Sequence, residues 1–462
     1  MTDRHEYDAI VIGAGQGGGP LAGALAGSGR RTALIERRYV GGTCINDGCT
    51  PTKTMIASGR VAHLARRAAE FGVETGEVAV DGAAVRRRKH AVVERFRESS
   101  RNRLVEQDGL DLLMGEARFT DPRRVAVTLA DGGERELSSD LVVIDTGTRP
   151  RVPDLRGLDD TPFLDSTSIM ELDRVPEHLV VLGGGFIGLE FAQLYRRFGA
   201  QVTVVERSPR LAPREDEDVC RAIGEILEED GIDVHVGVTP RHVSGDGGEV
   251  ALTLDDGGVE RVVRGSHLLV AIGRLPNTDA LGLDAAGIDV ADSGHIRVNE
   301  RLETSVPGIY AIGDVKGGPA FTHISYDDYR VLRTNLVDGG AASIADRVVP
   351  YTVYIDPQYA RVGLSEAQAQ EQGVRYAVAR MPMSHVARAI ETGETRGFMK
   401  VLVDPDSKQI LGCAILGTEG GEIMSMLQIA MLGRLSYTAL RDGAFAHPTL
   451  AEALNNLFGS VD

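Results

Sequence analysis

The strongest constraint on this chain is a glycine signature that occurs twice, at matching points of two similar segments. YDAIVIGAGQGG reads as a buried strand, a glycine turn and a helix start, with Gly13, Gly15 and Gly18 spelling G-x-G-x-x-G. TALIE follows as a second strand and ends in Glu36, 36 − 13 = 23 positions past the first glycine. HLVVLGGGFIGLEFA repeats the pattern with Gly183, Gly185 and Gly188, and QVTVVER ends at Glu206, where 206 − 183 = 23. In such a turn the first glycine permits the bend, the second admits a pyrophosphate, and the third lets helix and strand pack closely. The helix start supplies N–H groups and a positive dipole end for phosphate. The acid at that offset accepts hydrogen bonds from a ribose diol. One copy is weak evidence; two with the same offset point to two dinucleotide-binding units.

Glu206 bears on the second nucleotide. A carboxylate there accepts bonds from a free 2′-hydroxyl and repels a 2′-phosphate. At ~5 Å and an effective dielectric of ~20 the repulsion is on the order of 3 kcal/mol per unit charge. NAD(H) is therefore favoured over NADP(H), although Arg207 and Arg210 stand close enough in sequence to soften the effect.

Just after the first unit comes GGTCINDGCTPTK, which holds Cys44 and Cys49, two of four cysteines. Four residues separate them, a spacing that closes a small disulfide loop. Pro51 in the following PTK suits the first turn of a helix, where its missing N–H costs nothing. A helix start favours thiolate, the reactive form of cysteine. Half a zinc site is the competing reading, but structural zinc wants four ligands, and Cys220 and Cys413 stand alone far along the chain. No metal site is expected. Two thiols beside a dinucleotide unit suggest a redox-active disulfide that exchanges electron pairs with a cofactor.

Further segments carry candidate contacts. DLVVIDTGTRP, with Thr146 and Gly147, and LLVAIGRLPNT, with Gly273, have the same shape and read as outgoing and returning crossings between domains. PGIYAIGDV places Asp314 just past a buried strand, either to bind a sugar or flavin-chain hydroxyl or only to cap a helix. From Val348 the character changes. VVPYTVYIDPQYARVGLS begins with strand-like alternation, FMKVLVDPDSKQILGCAILG reads as a hairpin with a DPDSK turn, and EIMSMLQIAMLGRLS is amphipathic helix. Helices on one face of an antiparallel sheet make an α+β domain. In AHPTLAEALNNLF, Pro448 is expected to open a helix carrying Glu452. His447 beside that carboxylate suits proton transfer near neutral pH, or merely caps the helix.

The chain carries a net charge of −17, which argues against non-specific binding to nucleic acid or anionic membranes. MTDRHEYDAIVIGAG lacks the basic-then-apolar design of a signal, and no apolar run reaches transmembrane length. A cytoplasmic location, where a dithiol stays reduced, is the expectation.

The ordered set GAGQGG, GGTCINDGCTPTK, TGTRP, GGGFIGLE, AIGRLPN, YAIGDV and AHPTLAE resembles the pyridine nucleotide-disulfide oxidoreductases of the dihydrolipoamide dehydrogenase, glutathione reductase and mercuric reductase type. The resemblance spans Tyr7 to about Phe458. It implies an α/β chain of two Rossmann-like domains plus a C-terminal α+β dimerisation domain. FAD would take residues 1–149 and 275–347, NAD(P) residues 150–274, and the dimer interface residues 348–462. It also implies roles. Cys44 is the interchange thiol and Cys49 the thiol against the flavin, with Thr43 and Lys53 in the same stretch at the cofactor. Lys53 pairs with Glu190, and His447 with Glu452 is the acid–base group, reaching the site from the partner of a homodimer.

Departures narrow the branch. A C-terminal vicinal cysteine pair, usual in mercuric reductases, is absent, while His447 is kept. AFTHISYDDYRV stands where dihydrolipoamide dehydrogenases usually carry an Ala-x-x-Glu-Gly run. PTKTMIAS, LAPREDEDV, GPAFTHISYDDYR and NNLF are closest to the mercuric-reductase-like branch, similar to flavoproteins linked to reactive chlorine resistance and copper(II) reduction. The expected acceptor is a small disulfide, dithiol or metal ion. The alternative activity is dihydrolipoamide dehydrogenase, the E3 component of 2-oxo acid dehydrogenase complexes.

Overall fold

The computed structural model describes residues 3–246 and 248–461. The chain divides into two compact units, the first comprising Met1–Met55, Ala83–Arg151 and Gly273–Arg347, the second Ile56–Gly82, Val152–Ile272 and Val348–Asp462.

In the first unit, five parallel strands run in the order Leu110–Asp121, Thr32–Glu36, Ala9–Ile12, Val142–Ile144 and Ile309–Ala311. Ala9 to Ile12 and Thr32 to Glu36 are buried throughout, as strands covered on both faces must be. Leu21, Ala22 and Leu25 of the helix Gly18–Gly27 pack on one face in a core with Val11, Leu34 and Val143. Each buried leucine contributes roughly 1.5–3 kcal/mol. Ile10, Ile12 and Ile35 face the other way, towards Phe119, Leu137 and Ile296. The sheet continues antiparallel from Leu110–Asp121 through Arg124–Leu129 to Glu134–Ser138.

The expected crossings leave the first unit after Arg151 and re-enter it at Gly273. They pair antiparallel as Thr148–Pro150 against Arg274–Pro276. Thr146 Oγ1 donates to the Asn277 carbonyl at 2.9 Å, and Asn277 Nδ2 returns a bond to the Thr146 carbonyl at 2.8 Å. Their shared shape in sequence therefore reflects a two-stranded ribbon.

The second unit repeats the nucleotide fold as the parallel sheet Asp233–Val236, Gln201–Glu206, His178–Leu182 and His267–Val270. It also carries the expected α+β segment, an antiparallel sheet in the order Pro350–Val353, Gln358–Gly363, Ile410–Gly417, Phe398–Val403 and Ala377–Pro382. The DPDSK turn joins Phe398–Val403 to Ile410–Gly417, with Lys408 at φ 61°. The helix Gly420–Leu432 buries Ile423, Met424, Leu427 and Ala430 and leaves Ile429 and Leu432 exposed.

Two buried charge clusters tie segments of this unit that are far apart in sequence. Lys400 Nζ lies 2.8 Å from Asp216, 2.7 Å from Asp218 and 2.9 Å from Glu366. These three acids converge as cation ligands do, and the ammonium takes that place. Glu215 accepts from the hydroxyls of Tyr351 and Tyr359 and pairs with Arg361 at 3.2 Å. A buried ion cluster stands only while every member is matched. Replacing Lys400 by Met is expected to lower the unfolding free energy by about 3–5 kcal/mol, the range for an orphaned buried charge. Urea denaturation measures this; a loss below about 1 kcal/mol, typical of a surface change, would show the cluster to be idle.

Candidate functional site

The two glycine turns have the same construction. Gly13 N donates to the Ile35 carbonyl at 2.8 Å, and Gly183 N to the Val205 carbonyl at 2.9 Å. Glu36 accepts from Ala14 N at 2.9 Å and Arg38 N at 2.8 Å. Glu206 accepts from Gly184 N at 2.7 Å and Ser208 N at 2.6 Å. Sequence reasoning gave both acids to a ribose; the structure adds that each fixes its own turn. A carboxylate has about four lone-pair sites, so sites remain for a diol.

The glycines separate into two kinds. A Cβ at Gly13 would stand 2.2 Å from the Asp145 carbonyl oxygen, and one at Gly18 2.1 Å from the Gly13 oxygen. At Gly183 and Gly188 the distances are 2.5 Å to the Ala271 oxygen and 2.0 Å to the Gly183 oxygen. These four are demanded by the chain itself. Gly185 is different: its φ of −81° suits any residue, and a Cβ there would meet nothing within 4 Å. Gly147 and Gly273 likewise border open space, at φ +63° and +124°. Neither N-cap glycine, Gly17 or Gly185, offers a side chain to its helix start, and at the first helix Asp145 Oδ2 accepts the Gly18 N–H at 2.7 Å. Clear space beside the uncapped N–H groups after Gly185 fits nucleotide phosphates, and the open borders of Gly147 and Gly273 in the first unit leave room for a cofactor such as FAD.

Asp314 follows Ile309–Ala311 in a short 3-10 helix, Gly313–Lys316, and accepts from Thr148 Oγ1 at 3.1 Å. Desolvation pushes its carboxyl up, against Arg274, the Thr148 bond and Lys316.

Cys44 lies on the short helix Gly42–Asn46, next to exposed Thr43. The next helix opens at Cys49 itself, two residues before the expected Pro51, and runs to Arg66. Cys49 thus stands at a helix N-terminus, where the dipole favours its anion. Both cysteines are in the dithiol state. The hydrogen bond to Cys49, then burial and the charge on Cys49, push the Cys44 thiol well up, opposed by Thr322 and Lys53. Cys49 Sγ also lies 3.2 Å from Thr322 Oγ1. Thr322 was not picked out from sequence, although it sits in the AFTHISYDDYRV departure.

In the second unit, the helix Phe186–Phe198 presents Phe186, Glu190, Gln193 and Arg197 to residues 351–356 at i, i+4, i+7 and i+11. Glu190 accepts from Tyr354 N at 2.8 Å. Gln193 bonds both main-chain groups of Asp356, at 2.6 and 2.8 Å, while Arg197 pairs with the Asp356 carboxylate. Near the C-terminus, His447 Nδ1 lies 2.8 Å from Glu452, and the His447 side chain is 67% exposed. The expected helix from Pro448 is corrected: it covers Ala453–Gly459, with Glu452 before it. Thr449 Oγ1 accepts from Glu452 N at 3.1 Å and closes a side-chain turn where helix would otherwise begin.

Residues 7–328 match the family model described as pyridine nucleotide-disulphide oxidoreductase, and residues 349–458 match the dimerisation domain of that family. The chain belongs to the pyridine nucleotide-disulphide oxidoreductases. It is similar to the probable pyridine nucleotide-disulfide oxidoreductase RclA of Escherichia coli (strain K12), 36% identical over 461 residues, which is 99% of this chain and 100% of that protein. A mercuric reductase of Streptomyces lividans is 35% identical over 97% of this chain and 94% of its own length. A dihydrolipoyl dehydrogenase of Haloferax volcanii is 36% identical over 96% and 94%. A solved structure, the Cu(II) complex of the HOCl-induced flavoprotein disulfide reductase RclA from Escherichia coli, superposes with a TM-score of 0.90 at 35% identity, covering 99% of this chain and 100% of that one. The protein is thus an enzyme, an FAD-containing pyridine nucleotide-disulphide oxidoreductase of two dinucleotide-binding domains and a dimerisation domain. Among the described residues no helix is long and apolar enough to cross a membrane.

Gly185→Ala is expected to leave the melting temperature unchanged and to raise KM for the nicotinamide nucleotide about tenfold, some 1.4 kcal/mol. Gly188→Ala is expected to destabilise instead. Thermal melts and steady-state kinetics of the pair check this; equal behaviour of the two variants would remove the distinction.

Proposed function

We propose that this enzyme is a homodimeric, NADH-preferring oxidoreductase that passes electron pairs through Cys44 and Cys49 to a small disulfide or an oxidised metal ion. The unequal thiol pair carries the reading: Cys49 begins a helix, while the hydrogen bond to Cys49 and burial push the Cys44 thiol up. FAD occupies residues 1–149 and 275–347, NADH residues 150–274, and residues 348–462 form the subunit interface. A reducing cytoplasm keeps the pair available.

FAD, when bound, takes a hydride from the nicotinamide and hands the electron pair on to sulfur. Gly13, Gly15, Gly18, Glu36, Thr43, Lys53, Thr146, Gly147, Gly273 and Asp314 line its site, with Lys53 partnered by Glu190. Gly183, Gly185, Gly188 and Glu206 hold NADH. Glu206, fixed by two N–H groups, disfavours a 2′-phosphate, and Arg210 faces Glu217 at 3.7 Å. Glu452 orients His447, which takes the Cys44 proton in the site of a second copy of the chain. The Cys44 thiolate attacks one sulfur of a disulfide acceptor, and the first thiol leaves with a proton. Cys49 then attacks the Cys44 sulfur, which closes the Cys44–Cys49 disulfide and releases the second thiol. Metal-ion acceptors enter because a mercuric reductase and a Cu(II) complex stand among the relatives.

The decisive assay is an acceptor panel of lipoamide, low-molecular-weight disulfides, quinones, copper(II) and mercury(II) with NADH. Turnover of dihydrolipoamide with NAD at about 10 per second or more would make the enzyme a dihydrolipoamide dehydrogenase instead. Cys44→Ser is expected to abolish disulfide reduction while NADH still bleaches the flavin absorbance; retained disulfide reduction would end the interchange role. Glu206→Ala should shrink the NADH-over-NADPH ratio of kcat/KM, and an unchanged ratio would remove Glu206 from cofactor choice.

A further inference from the structure

Asp145 ends the strand Val142–Ile144 and is 7% exposed. Its carboxyl is wedged among glycines of two separate turns. A Cβ at Gly15 would lie 2.6 Å from Oδ2, one at Gly18 2.9 Å from Oδ2, and one at Gly313 2.6 Å from Oδ1. Gly15 and Gly18 belong to the first glycine turn, and Gly313 immediately precedes Asp314. Asp145 Oδ2 accepts the Gly18 N–H at 2.7 Å, one of the donors that a helix start turns towards a phosphate.

The surroundings are acidic. Glu36 faces Asp145 from the second strand, Asp314 from the 3-10 helix Gly313–Lys316, and Asp328 from the helix Thr322–Leu336; all three disfavour its charge. The glycine turn and the start of the helix Gly18–Gly27 contribute no charged side chain. Ser325, also on Thr322–Leu336, adds a neutral hydroxyl beside Gly313. Lys316 and Arg347 are the nearby cations, and both are committed to Asp328, at 3.4 and 2.8 Å. Arg274 acts on Asp314 and bonds the ribbon residue Thr148. Glu36 accepts two main-chain N–H groups, whereas Asp145 accepts one and, among the described residues, has no cation within ion-pairing distance.

We propose that Asp145 is a proton-carrying member of the FAD site: its carboxyl stays neutral while the flavin nucleotide is bound, and loss of that proton loosens the cofactor. The inference rests on the assignment of FAD to the first unit. FAD brings a doubly charged pyrophosphate to a turn whose glycines already touch this side chain. An ionised Asp145 would add a further anion there without a counter-ion. Burial first, and then the three neighbouring acids, push its carboxyl well above the usual range, against the single Gly18 N–H. FAD pushes in the same direction. By reciprocity, whatever makes the protonated form bind FAD better makes bound FAD hold the proton more tightly. The sign follows: affinity is full while the carboxyl is protonated and falls as pH rises through its titration.

The test is FAD retention by the full-length holoenzyme, diluted to nanomolar concentration and read by free-flavin fluorescence from about pH 6 to about pH 9, with circular dichroism to show that the fold persists. Wild type is expected to lose affinity by about tenfold or more across the range, the effect of a one-unit linked shift. Asp145→Asn is expected to bind tightly and nearly independently of pH. Should the Asn variant fail to fold, net proton uptake is measured when FAD is added to flavin-stripped wild type, in two buffers of different ionisation enthalpy. Uptake of a fractional to whole proton supports the proposal. A pH profile shared by wild type and Asp145→Asn, or binding without proton uptake, overturns it while leaving FAD in place. Failure to hold FAD at any pH would bring down the cofactor assignment and this proposal together.

Discussion

Close approach of main chain to main chain, made possible by missing side chains, is the constraint on which both nucleotide folds depend. At Gly18 and Gly188 a Cβ would stand 2.1 and 2.0 Å from the carbonyl oxygen five residues earlier. No ordinary side chain survives such a distance, so the helix can start against the strand only if these positions are glycine. The carboxylates of Glu36 and Glu206 then bond the first N–H groups of the bend. Each turn is thus fixed from inside by glycine and from outside by an acid on the neighbouring strand. A ligand meets a preformed cradle, and little ordering entropy is left to be lost on binding.

The same logic separates what was legible in the sequence from what was not. Patterns carried by neighbours along the chain read correctly for both glycine turns and the DPDSK hairpin, whereas the expected amphipathic helix ends at Leu432 and exposes Ile429 and Leu432 on its outer side. The last helix begins at Ala453 rather than at Pro448, a delay that proline placement does not report. Asp145 went unread because its significance comes from Gly15, Gly18 and Gly313, which reach it from two distant segments. Lys400 and Glu215 were silent for the same reason: their partners lie 184 and 144 positions away. A lone charge in a strand carries no mark of the counter-charges that a fold will bring to it. Thr322 lies in the segment that departs from the family pattern, and its place 3.2 Å from Cys49 gives that departure a chemical meaning.

The nucleotide-binding helix of the second unit is held by more than its own sheet. Glu190, Gln193 and Arg197 spend their polar groups on residues 354–356, one turn after another. Phe186, first on that helix, stacks 5.7 Å from Tyr351, whose hydroxyl meets Glu215. Glu215 and the N-cap residue Asp216 in turn lead into the next helix of the nucleotide fold, Glu217–Glu229. The segment after Glu206 and the start of the helix after Gly185 are therefore anchored to one antiparallel sheet. That sheet belongs to the residues matched as a dimerisation domain. The second glycine turn and the segment matched as a dimerisation domain consequently draw on the same buried polar contacts, and a change that loosens one set must be felt by the other.

The thiol pair shows how small asymmetries divide labour between two chemically identical groups. Cys49 stands at a helix N-terminus, which favours an anion, while the Thr322 hydroxyl lies beside the pair, 3.2 Å from Cys49 Sγ. Cys44, on a five-residue helix, is more enclosed and hydrogen-bonded to its neighbour, so it keeps the proton. A low thiol pKa yields more thiolate but a weaker nucleophile. The sulfur that holds its proton longer is therefore the stronger attacker once a base removes it, which suits Cys44 to an incoming acceptor. In the proposed mechanism the exposed His447–Glu452 pair, from a second copy of the chain, is the group that removes the Cys44 proton. Catalysis along this route then depends on where one proton rests between two sulfurs, and the short helices that carry them set that position.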